Sequence, residues 1–436
     1  MRNIFKQTKK QEKTKKQEQT DNVVYVDAPP EAREHNAKKR KEYVRKRITV
    51  FLSVIVVAFA AFFVIKALLN REYKGYSVLK TYDTSYENTA NYIRFDGNLL
   101  KYTPDGISYI NSNGETLWSS GVDMKMPMAV ANGSYAVVAD ISGNAVFIFN
   151  TEGQVSSLTM PYTICDVDIA DQGVIAVVLE SDKTNYINIY DKAGNIICEM
   201  QTSIDMSGYP LDIAISDDGK KLFTSYLKVA GTKVENNLSA YNFGEVGQNS
   251  NVDRMVGGYI FDDQIVPKLD FVDNNTVVAF GTKQINIFGM KEKPGKKAEI
   301  EFDDEIQSVF YSSKYIGAIQ KCDSEKTDHL YIATVYDLKG GKEFEKYIDF
   351  EYDYIYATKK EIIISGGSDC MIIRKNGTVK YDGKLSGKIR SIVPNGKTLE
   401  YIVVYDDFTE IIKLKRDSGR SGNANEDTAT SLDAVR

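Results

Sequence analysis

The sequence predicts an all-β protein: an eight-bladed β-propeller with four-stranded antiparallel blades, preceded by one transmembrane helix and a disordered N-terminal tail. Three observations support this fold class. From Tyr76 onward, short β-branched and aromatic runs alternate with glycine-containing turns, which is typical of antiparallel β architecture. The runs recur in sets of four with a period of about 40 residues, as propeller blades do. A single apolar segment precedes them and has the length of a membrane span.

Residues 1–47 form the predicted disordered tail, which is cytosolic and basic. They contain 15 Lys and Arg against 7 Asp and Glu but few large apolar side chains, so they cannot bury enough surface to offset the entropy of ordering. The tail is expected to fix the membrane topology and to be attracted to anionic lipids. The basic residues nearest the apolar segment are Lys38, Lys39, Arg40, Lys41, Arg45, Lys46 and Arg47.

Residues 48–69 form the predicted transmembrane signal-anchor helix. At about 1.5 Å per residue the segment can cross a hydrocarbon core of about 30 Å. Because the basic cluster precedes it, the N-terminus is expected in the cytosol and the C-terminal domain outside the cell membrane. Cleavage as a secretory signal is the alternative. However, the small-residue site Ala58-Phe59-Ala60 lies in the middle of the apolar run, and the charged region before it is too long for a leader.

Residues 76–416 form the predicted extracellular propeller, which is acidic. Residues 70–436 contain 39 Lys and Arg against 53 Asp and Glu. Surfaces that bind nucleic acid are normally basic, so no nucleic acid is expected as a partner. The charge and the compartment favour an envelope protein or a cell-wall polymer instead.

Blade three shows the predicted repeat most clearly. Its strands are predicted at Cys165 to Ile169, Val174 to Leu179, Tyr186 to Tyr190, and Ile196 to Met200. A strand that ends in Asn or Asp and leads into a glycine turn also recurs in other blades, because such turns need residues that tolerate positive φ. These turn glycines are Gly114, Gly153, Gly194, Gly340 and Gly377.

The number of blades follows from the first strand of each unit. Such strands are predicted near Tyr92, Met128, Val167, Ile213, Leu269, Val309, Ile355 and Ile392. The eighth unit has only three strands before the chain turns polar, so the strand 76–80 is expected to supply the fourth and to close the ring. Seven blades are the alternative, because blades four to six are irregular. Residues 417–436 are predicted to form a disordered C-terminal tail.

Few side chains of the predicted propeller have the chemistry of a metal or catalytic site. The cysteines form no C-x-x-C pair and have no histidine at ligand spacing, so no metal site is predicted. Cys165 and Cys198 fall on the first and fourth strands of one sheet, too far apart for a disulfide, and free thiols are expected. The two histidines, His35 and His329, lie in the tail and in a blade-six loop, so no catalytic residue is assigned.

Several acidic pairs fall at predicted turns, including Asp217-Asp218 and Asp303-Asp304. Turns between strands favour Asp and Gly, and this explains the pairs best. A propeller can also line its axis with carboxylates. Cleavage of wall glycan by a lyase or hydrolase that uses Asp217 or Asp303 is therefore an alternative function.

The segment from Asn242 to Tyr259, NFGEVGQNSNVDRMVGGY, departs most from the repeat. Long irregular loops on a rigid scaffold often carry binding residues, although a passive insertion is the alternative. The candidate binding residues in this blade-four loop are Glu245, Gln248, Asn249, Asp253 and Arg254.

Two stretches, NLLKYTPDGISYINSNGETLW (98–118) and AVVADISGNAVFIFNTEG (136–153), resemble WD-type, YVTN-like and quinoprotein-like β-propellers. The whole chain resembles an uncharacterised family of membrane-anchored β-propellers from clostridial Gram-positive bacteria. The resemblance implies a fold, an anchor and a lineage, and no activity. Trp118 is the only tryptophan, so the tryptophan motif of quinoprotein blades is absent and no cofactor is expected.

These features favour a membrane-tethered scaffold that binds an envelope protein or a wall polymer and carries out no reaction. The carboxylate-based enzyme is the second hypothesis. A single-pass envelope sensor is the third, and it lacks a recognisable signalling domain in the tail.

Overall fold

The computed structural model describes residues 29–83, 90–182, 184–231, 233–250, 253–262, 264–416 and 419–422. The chain divides into two units, residues 1–70 and residues 71–436. Within the described residues, the first unit is a single helix and the second is a β-propeller.

Helix α1 (Pro30–Leu69) begins earlier than the sequence pattern predicted. Residues 30–47 of the predicted disordered tail are helical, whereas residues 1–28 lie outside the described residues. The first helical position suits proline, and Glu31 complements the positive end of the helix dipole. The alanine, lysine, arginine and glutamate residues that follow favour helix, which a composition argument for disorder does not weigh. The stretch from Lys38 to Leu69 contains a part that is long and apolar enough to cross a membrane, and its apolar 18-residue window has a mean hydropathy of 3.0.

The described part of the second unit contains eight sheets, each of which is one blade with four antiparallel strands, and one of these sheets has a fifth strand that runs parallel to its neighbour. The chain enters through strand β1 (Gly75–Asp83) and then forms the blades in order. Blades one and two are β2 (Asn91–Phe95), β3 (Asn98–Tyr102), β4 (Gly106–Ile110), β5 (Thr116–Gly121), β6 (Pro127–Asn132), β7 (Tyr135–Asp140), β8 (Ala145–Asn150) and β9 (Gly153–Thr159). Blades three and four are β10 (Thr163–Ile169), β11 (Ile175–Ser181), β12 (Thr184–Tyr190), β13 (Ile196–Ser203), β14 (Tyr209–Ile215), β15 (Lys221–Ala230), β16 (Lys233–Asn242) and β17 (Met255–Asp262).

The second half of the ring repeats the same arrangement. Blades five and six are β18 (Lys268–Asp273), β19 (Thr276–Phe280), β20 (Gln284–Met290), β21 (Pro294–Glu301), β22 (Ile306–Tyr311), β23 (Ile316–Lys321), β24 (Tyr331–Tyr336) and β25 (Lys342–Ile348). Blades seven and eight are β26 (Tyr354–Ala357), β27 (Glu361–Gly366), β28 (Asp369–Arg374), β29 (Val379–Lys384), β30 (Ile389–Pro394), β31 (Glu400–Tyr405) and β32 (Phe408–Lys415), followed by β33 (Gly419–Gly422).

Blade eight closes the ring with strands from both ends of the propeller. Its order is β30-β31-β32-β1-β33, and β1 runs antiparallel to β32 from the pair Gly75 and Lys415 to the pair Asp83 and Phe408. We call β1 the clasp strand. The predicted eight blades and the predicted closing strand are confirmed, and the seven-bladed alternative is wrong.

The predicted disordered C-terminal tail contains one ordered piece. Strand β33 (Gly419–Gly422) pairs in parallel with the first four residues of the clasp strand. An edge strand offers unpaired N–H and C=O groups, which a polar segment can satisfy without an apolar side chain. Residues 417, 418 and 423–436 lie outside the described residues.

The first strand of each blade lies nearest the axis, and first strands of neighbouring blades contact one another, as β2 contacts β6 and β10 contacts β14. Because successive strands are antiparallel, the connections after first and third strands share one face of the ring. We call it the insertion face, since it carries the blade-four insertion. The connections after second and fourth strands lie on the opposite face.

Buried apolar side chains fill the spaces between neighbouring blades. Between blades two and three they include Val137, Ile148, Val167 and Val177, whose β-branched shapes suit packed sheets. Trp118 stacks on Phe149 across the interface of blades one and two. All four cysteines are free, as expected.

Candidate functional site

The connection between the third and fourth strands of blade four is the binding surface predicted from the sequence. It comprises residues 243–254, which we call the blade-four insertion. It contains a short helix, α2 (Glu245–Ser250), where the pattern predicted an irregular loop. A helix of one and a half turns is too short to show a hydrophobic period. The corresponding connections of other blades are much shorter and span residues 111–115, 151–152, 191–195, 291–293, 337–341 and 375–378.

Hydrogen bonds fix the base of the blade-four insertion. Asn242 donates from Nδ2 to the carbonyl of Glu292 in blade five at 3.0 Å, and its Oδ1 accepts from the N–H of Gly244 at 2.9 Å. The second contact is the local turn that leads into α2, and an asparagine at this point was the available sequence signal. Arg254 has a φ of 58° and donates to the carbonyl of Phe243 at 3.1 Å. The guanidinium of Arg254 is therefore held by its own loop.

The other predicted binding residues of the blade-four insertion lie in different parts of it. Glu245 and Gln248 are exposed and lie three positions apart on α2, so their side chains share one helix face. Asp253 is also exposed and follows residues 251–252, which lie outside the described part of the chain. The side chain of Asn249 is likewise outside it. The structure thus brings Glu245 and Gln248 together on a fixed base.

The seven basic residues predicted to contact lipid all lie on α1 and are all exposed. Lys38, Lys41 and Arg45 are spaced by three and four residues, which aligns them along one side of the helix. The other four point their charges around the remaining circumference, because they occupy intervening positions. The cluster is therefore a basic collar at the start of the apolar part of α1.

The two carboxylates predicted for an enzyme lie on opposite faces of the ring. Asp217 follows the first strand of blade four and accepts a hydrogen bond at Oδ1 from Asn132 at 2.9 Å. Asp303 is exposed in the connection between blades five and six, where its carbonyl accepts from Lys283. They are not brought together in one site.

A set of acidic side chains that the sequence pattern did not single out lies on the first strands of blades three to five. Two of them, Asp166 and Asp168, accept hydrogen bonds at Oδ2 from the N–H groups of Ile213 and Ile215 in blade four, at 3.2 Å and 2.8 Å. We call the set, with the lysine and tyrosine beside it, the axial carboxylate cluster. Its members are Asp166, Asp168, Asp212, Lys268, Asp270 and Tyr311.

The same arrangement continues into blade five. Asp212 accepts at Oδ2 from the N–H of Leu269 at 2.6 Å, and Lys268 donates to both carboxylate oxygens of Asp212 at 2.9 Å and 3.2 Å. No strand pairs with a first strand on its axial side, so its backbone groups there need other partners. The carboxylates supply these partners and connect blades three, four and five.

Burial changes the protonation of this cluster. Burial, with the charge of Asp212, raises the pKa of Asp166 to about 7. Burial also raises the pKa of Asp168 to about 6, and burial with the charge of Asp168 raises the pKa of Asp270 to about 8. Burial has the largest single effect on Lys268 and would lower its pKa, but the charge and hydrogen bond of Asp212, together with the charges of Asp168 and Asp270, outweigh burial and raise that pKa. Near neutral pH the carboxylates therefore hold protons that exposed aspartates would have lost.

The axial carboxylate cluster can store protons and can hold blades together. Within the described residues, no group of three or more His, Cys, Asp or Glu has an arrangement that could hold a metal ion. The oxygens of Asp166, Asp168 and Asp212 are instead used by backbone N–H groups. The sequence carried one signal for the cluster: Asp166 and Asp168 alternate with apolar residues inside a predicted strand, where turn chemistry does not explain them.

His329, which the sequence analysis placed in a blade-six loop, makes specific side-chain contacts. Its ring stacks on Tyr347 with centroids 4.2 Å apart, and Nδ1 lies 2.5 Å from a carboxylate oxygen of Asp349. The pair is on the opposite face of the ring from the blade-four insertion.

The model of a protein family described as Family of unknown function (DUF5711) matches residues 69–414, which contain the clasp strand, blades one to seven and most of blade eight. The chain belongs to this family. DUF5711 membership confirms the predicted resemblance to an uncharacterised β-propeller family. The match begins at the last residue of α1, so the anchor and the clostridial lineage stay predictions. No curated protein sequence is significantly similar to this DUF5711 chain.

Solved propellers share the DUF5711 fold at low identity. Sqt1 from Chaetomium thermophilum has a TM-score of 0.51 and 11% identity, covering 78% of this chain and 99% of that chain. Sqt1 bound to the N-terminus of the ribosomal protein L10 has a TM-score of 0.50 and 12% identity, covering 79% and 97%. BamB from Moraxella catarrhalis has a TM-score of 0.47 and 11% identity, covering 78% and 100%. At these identities the likeness shows the fold alone.

Proposed function

We propose that this protein is a membrane-tethered scaffold whose propeller binds another envelope protein through the blade-four insertion. The observation that carries the proposal is the insertion itself. Glu245 and Gln248 are exposed on α2, while Asn242 and Arg254 fix the base of α2 by hydrogen bonds. A surface that is already ordered loses little conformational entropy on binding, which favours recognition.

The fold is compatible with this role. The solved structure of Sqt1 holds the N-terminus of the ribosomal protein L10, so a propeller of similar architecture binds a protein segment. The likeness is one of fold, and it supports a scaffold role by analogy only.

The anchor is the second part of the proposal, and α1 supports it. The basic collar from Lys38 to Arg47 precedes the apolar part of the helix, so the positive-inside rule favours an N-terminus in the cytosol and a propeller outside. The collar also suits an anionic leaflet, at about 1 kcal/mol for each well-placed basic residue. A tether raises the effective concentration of the propeller toward partners in the same membrane.

The proposal includes no reaction and no cofactor. Asp217 and Asp303 lie on opposite faces, and the oxygens of the axial carboxylate cluster are engaged by backbone groups of the next blade. A scaffold role does not require either of these two sets of carboxylates to rearrange.

Site-specific photocrosslinking tests the binding surface. A photoreactive residue replaces Gln248 in the full chain, expressed in its native cells, and a matched chain carries it at Lys326. The side chain of Lys326 is 81% exposed and lies on the opposite face. We expect one discrete protein adduct from position 248 and none of that mass from position 326. The charge reversal Glu245→Lys should reduce the adduct severalfold.

Three results would contradict the proposed surface. They are equal adducts from both positions, adducts with wall polymer in place of protein, and no adduct from position 248 although the chain reaches the membrane. A membrane-impermeant amine reagent on intact cells separately tests the topology: it should modify Lys326 and leave Lys39 unmodified.

A further inference from the structure

The turns of the insertion face divide by charge into two halves. In blades one to four, the connections after first and third strands carry nine Asp and Glu against three Lys and Arg. In blades five to eight, the corresponding connections carry eight lysines against Glu292 and Asp337. We call this second set the basic half, and the other the acidic half. The lysines of the basic half are Lys291, Lys293, Lys314, Lys339, Lys359, Lys360, Lys375 and Lys397.

The lysines of the basic half are accessible to a ligand. All eight are exposed, and none of them forms an ion pair among the residues that the structure describes. One of them, Lys397, donates to the side-chain oxygen of Asn113 at 3.4 Å, and that contact is itself exposed. Because like charges repel one another, a ligand that carries many negative charges would stabilise all of these ammonium groups together.

The opposite face of the same blades has the opposite charge. There, the described connections after second and fourth strands of blades five to eight carry eleven Asp and Glu against Lys283, Lys326 and Lys388. The positive charge is therefore confined to one face of these blades, and a lysine-rich half of the chain does not explain it. A flat anionic surface would attract the insertion face of blades five to eight and repel the other face.

The chain enters the ring on the insertion face, beside the basic half. The clasp strand begins at Gly75, opposite the last residue of β32, so Gly75 lies at the insertion face. The residues before it are held at the insertion-face ends of β28 and β29. The N–H of Tyr73 donates to the carbonyl of Lys380 at 2.8 Å, and the guanidinium of Arg374 donates to the carbonyl of Arg71.

The short connection to α1 limits how far the basic half can be from a membrane. Helix α1 ends at Leu69, and Arg71 follows it by two residues, which span at most about 7 Å of extended chain. A membrane that holds α1 is therefore within reach of the insertion face at blades seven and eight.

A lipid surface fits the basic half better than a single small anion does. The eight lysines are spread over connections of four blades, whereas a small anion would need them gathered at one point. A bilayer presents many headgroup phosphates in one plane, and each lysine near such a surface strengthens binding about fivefold. The tether also gives the lipid a high effective concentration at this face, which a soluble polymer lacks.

We propose that the basic half of the insertion face binds the anionic headgroups of the membrane that holds α1. The lysine ammonium groups pair with lipid phosphates, while the acidic half of the same face is repelled by them. The blade-four insertion belongs to the acidic half, so lipid contact leaves it open to a protein partner. This inference rests on the membrane anchor of the proposed function and is independent of the partner at the blade-four insertion.

Fluorescence quenching in nanodiscs tests the proposal with the full chain. A fluorescent residue replaces Ser313 on the insertion face of blade six, and a matched chain carries it at Ser324 on the opposite face of the same blade. The nanodiscs contain lipid with a spin-labelled headgroup as the quencher, in phosphatidylcholine alone or with phosphatidylglycerol added. We expect quenching at position 313 only, and only in the anionic discs. Raising the salt from about 0.1 M to about 1 M shortens the Debye length from about 10 Å to about 3 Å and should remove the quenching.

Two double variants with the same change of net charge identify the surface. Lys359→Glu combined with Lys360→Glu should lower the ratio of lipid-bound to free propeller at least about twentyfold, because each lysine contributes about fivefold. Lys326→Glu combined with Lys388→Glu, at exposed lysines of the opposite face, should leave the quenching at position 313 unchanged. Circular dichroism confirms that each variant is folded.

Retention of the chain by the nanodisc in size-exclusion chromatography tests the anchor separately. Loss of the chain from the disc would overturn the anchor and the lipid contact together. If the chain is retained, three results overturn the lipid contact alone: no quenching at position 313 in anionic discs, equal quenching at positions 313 and 324, and normal quenching in the folded Lys359→Glu, Lys360→Glu variant. Loss of quenching on addition of soluble poly(glycerol phosphate), at the phosphate concentration of the lipid, would also overturn it and assign the surface to an anionic polymer.

Discussion

Two interfaces between neighbouring blades differ in how completely apolar side chains fill them. One lies between blades two and three. The other, which we call the seam, lies between blades eight and one, where the ring closes. The first buries twelve apolar residues in one cluster, and the second buries four and leaves a cavity of about 220 Å³. Blades two and three are neighbours in the sequence, whereas the seam joins the two ends of the ring. The clasp strand closes the ring through backbone pairing with β32, so closure depends less on side-chain packing at the seam.

Breaking the clasp strand should have the largest effect. Val78 pairs with Ile412, and Val78→Pro removes a backbone donor in the middle of the sheet and prevents that pairing. We expect the free energy of unfolding to fall by at least about 3 kcal/mol. Thermal unfolding followed by circular dichroism measures it.

The matched control is Ser157→Pro on β9, the exposed outer strand of blade two. Only an edge strand is disturbed there, so the loss should be near 1 kcal/mol, about one hydrogen bond. Equal losses in the two variants would show that the clasp has no special role in closure.

Truncation of one isoleucine in each of the two interfaces tests how completely each interface is packed. Ile148 is fully buried between blades two and three, and Ile148→Ala should cost about 3–4 kcal/mol, because a new cavity forms in a filled interface. Ile411 already borders the seam cavity, so Ile411→Ala removes fewer contacts and should cost about 1–2 kcal/mol. Chemical denaturation with urea measures both. Equal costs would mean that the seam is as well packed as the other interface.

Raising the pH should destabilise the side of the ring that contains the axial carboxylate cluster, in blades three to five. The folded pKa values of Asp166, Asp168 and Asp270 are raised to about 7, 6 and 8, so the folded state binds more protons than the unfolded chain. The stability they provide is complete below the unfolded pKa near 4 and is lost as pH rises through 6 to 8. Since each unit of pKa shift corresponds to about 1.4 kcal/mol, urea unfolding should show a loss of at least about 2 kcal/mol between pH 5 and pH 8.

Asp270→Asn is the control for this pH dependence. The amide cannot ionise, so the variant should lose less stability than the parent chain between pH 5 and pH 8. An unchanged pH profile in the variant would exclude Asp270 as a source of the dependence.

The smallest expected effect comes from a single hydroxyl. Thr409→Val removes the unpartnered Oγ1 at the seam and should raise the free energy of unfolding by about 1 kcal/mol. Thr202 is equally exposed, at 8%, but its Oγ1 donates to the carbonyl of Asn185 at 3.4 Å. Thr202→Val should therefore lower the stability by a similar amount. Thermal melts compare the two variants, and a loss of stability in both would contradict an unpartnered hydroxyl at position 409.

Strand periodicity and turn glycines predicted most of the ring. Blade three and the clasp strand formed where the pattern placed them, because each needs only local alternation and a turn. Helix α2 was missed because six residues cannot show a period. The helical residues 30–47 were missed because charge composition was weighed above helix propensity.

Local sequence patterns could not predict how the axial carboxylate cluster assembles or where the seam cavity lies, although Asp166 and Asp168 gave one signal within a single strand. The strands that carry Asp166, Asp212 and Asp270 are far apart along the chain, and their proximity follows from the closed ring. Similarly, the cavity depends on how completely two distant blades fill their interface. Local sequence patterns specify individual strands and helices, whereas these two sites form only when the ring of blades closes.

The clasp strand also imposes a delay during synthesis, because its partner strand is made much later. Residues 75–83 are synthesised before any blade, yet their partner β32 lies at residues 408–415. At about 5–20 residues per second, the strand waits roughly 15–65 s for that partner. During this interval its two edges are open to other extended chains. The protein therefore depends on something that protects a nascent strand, or on blades that fold early enough to shield it, before the ring can close.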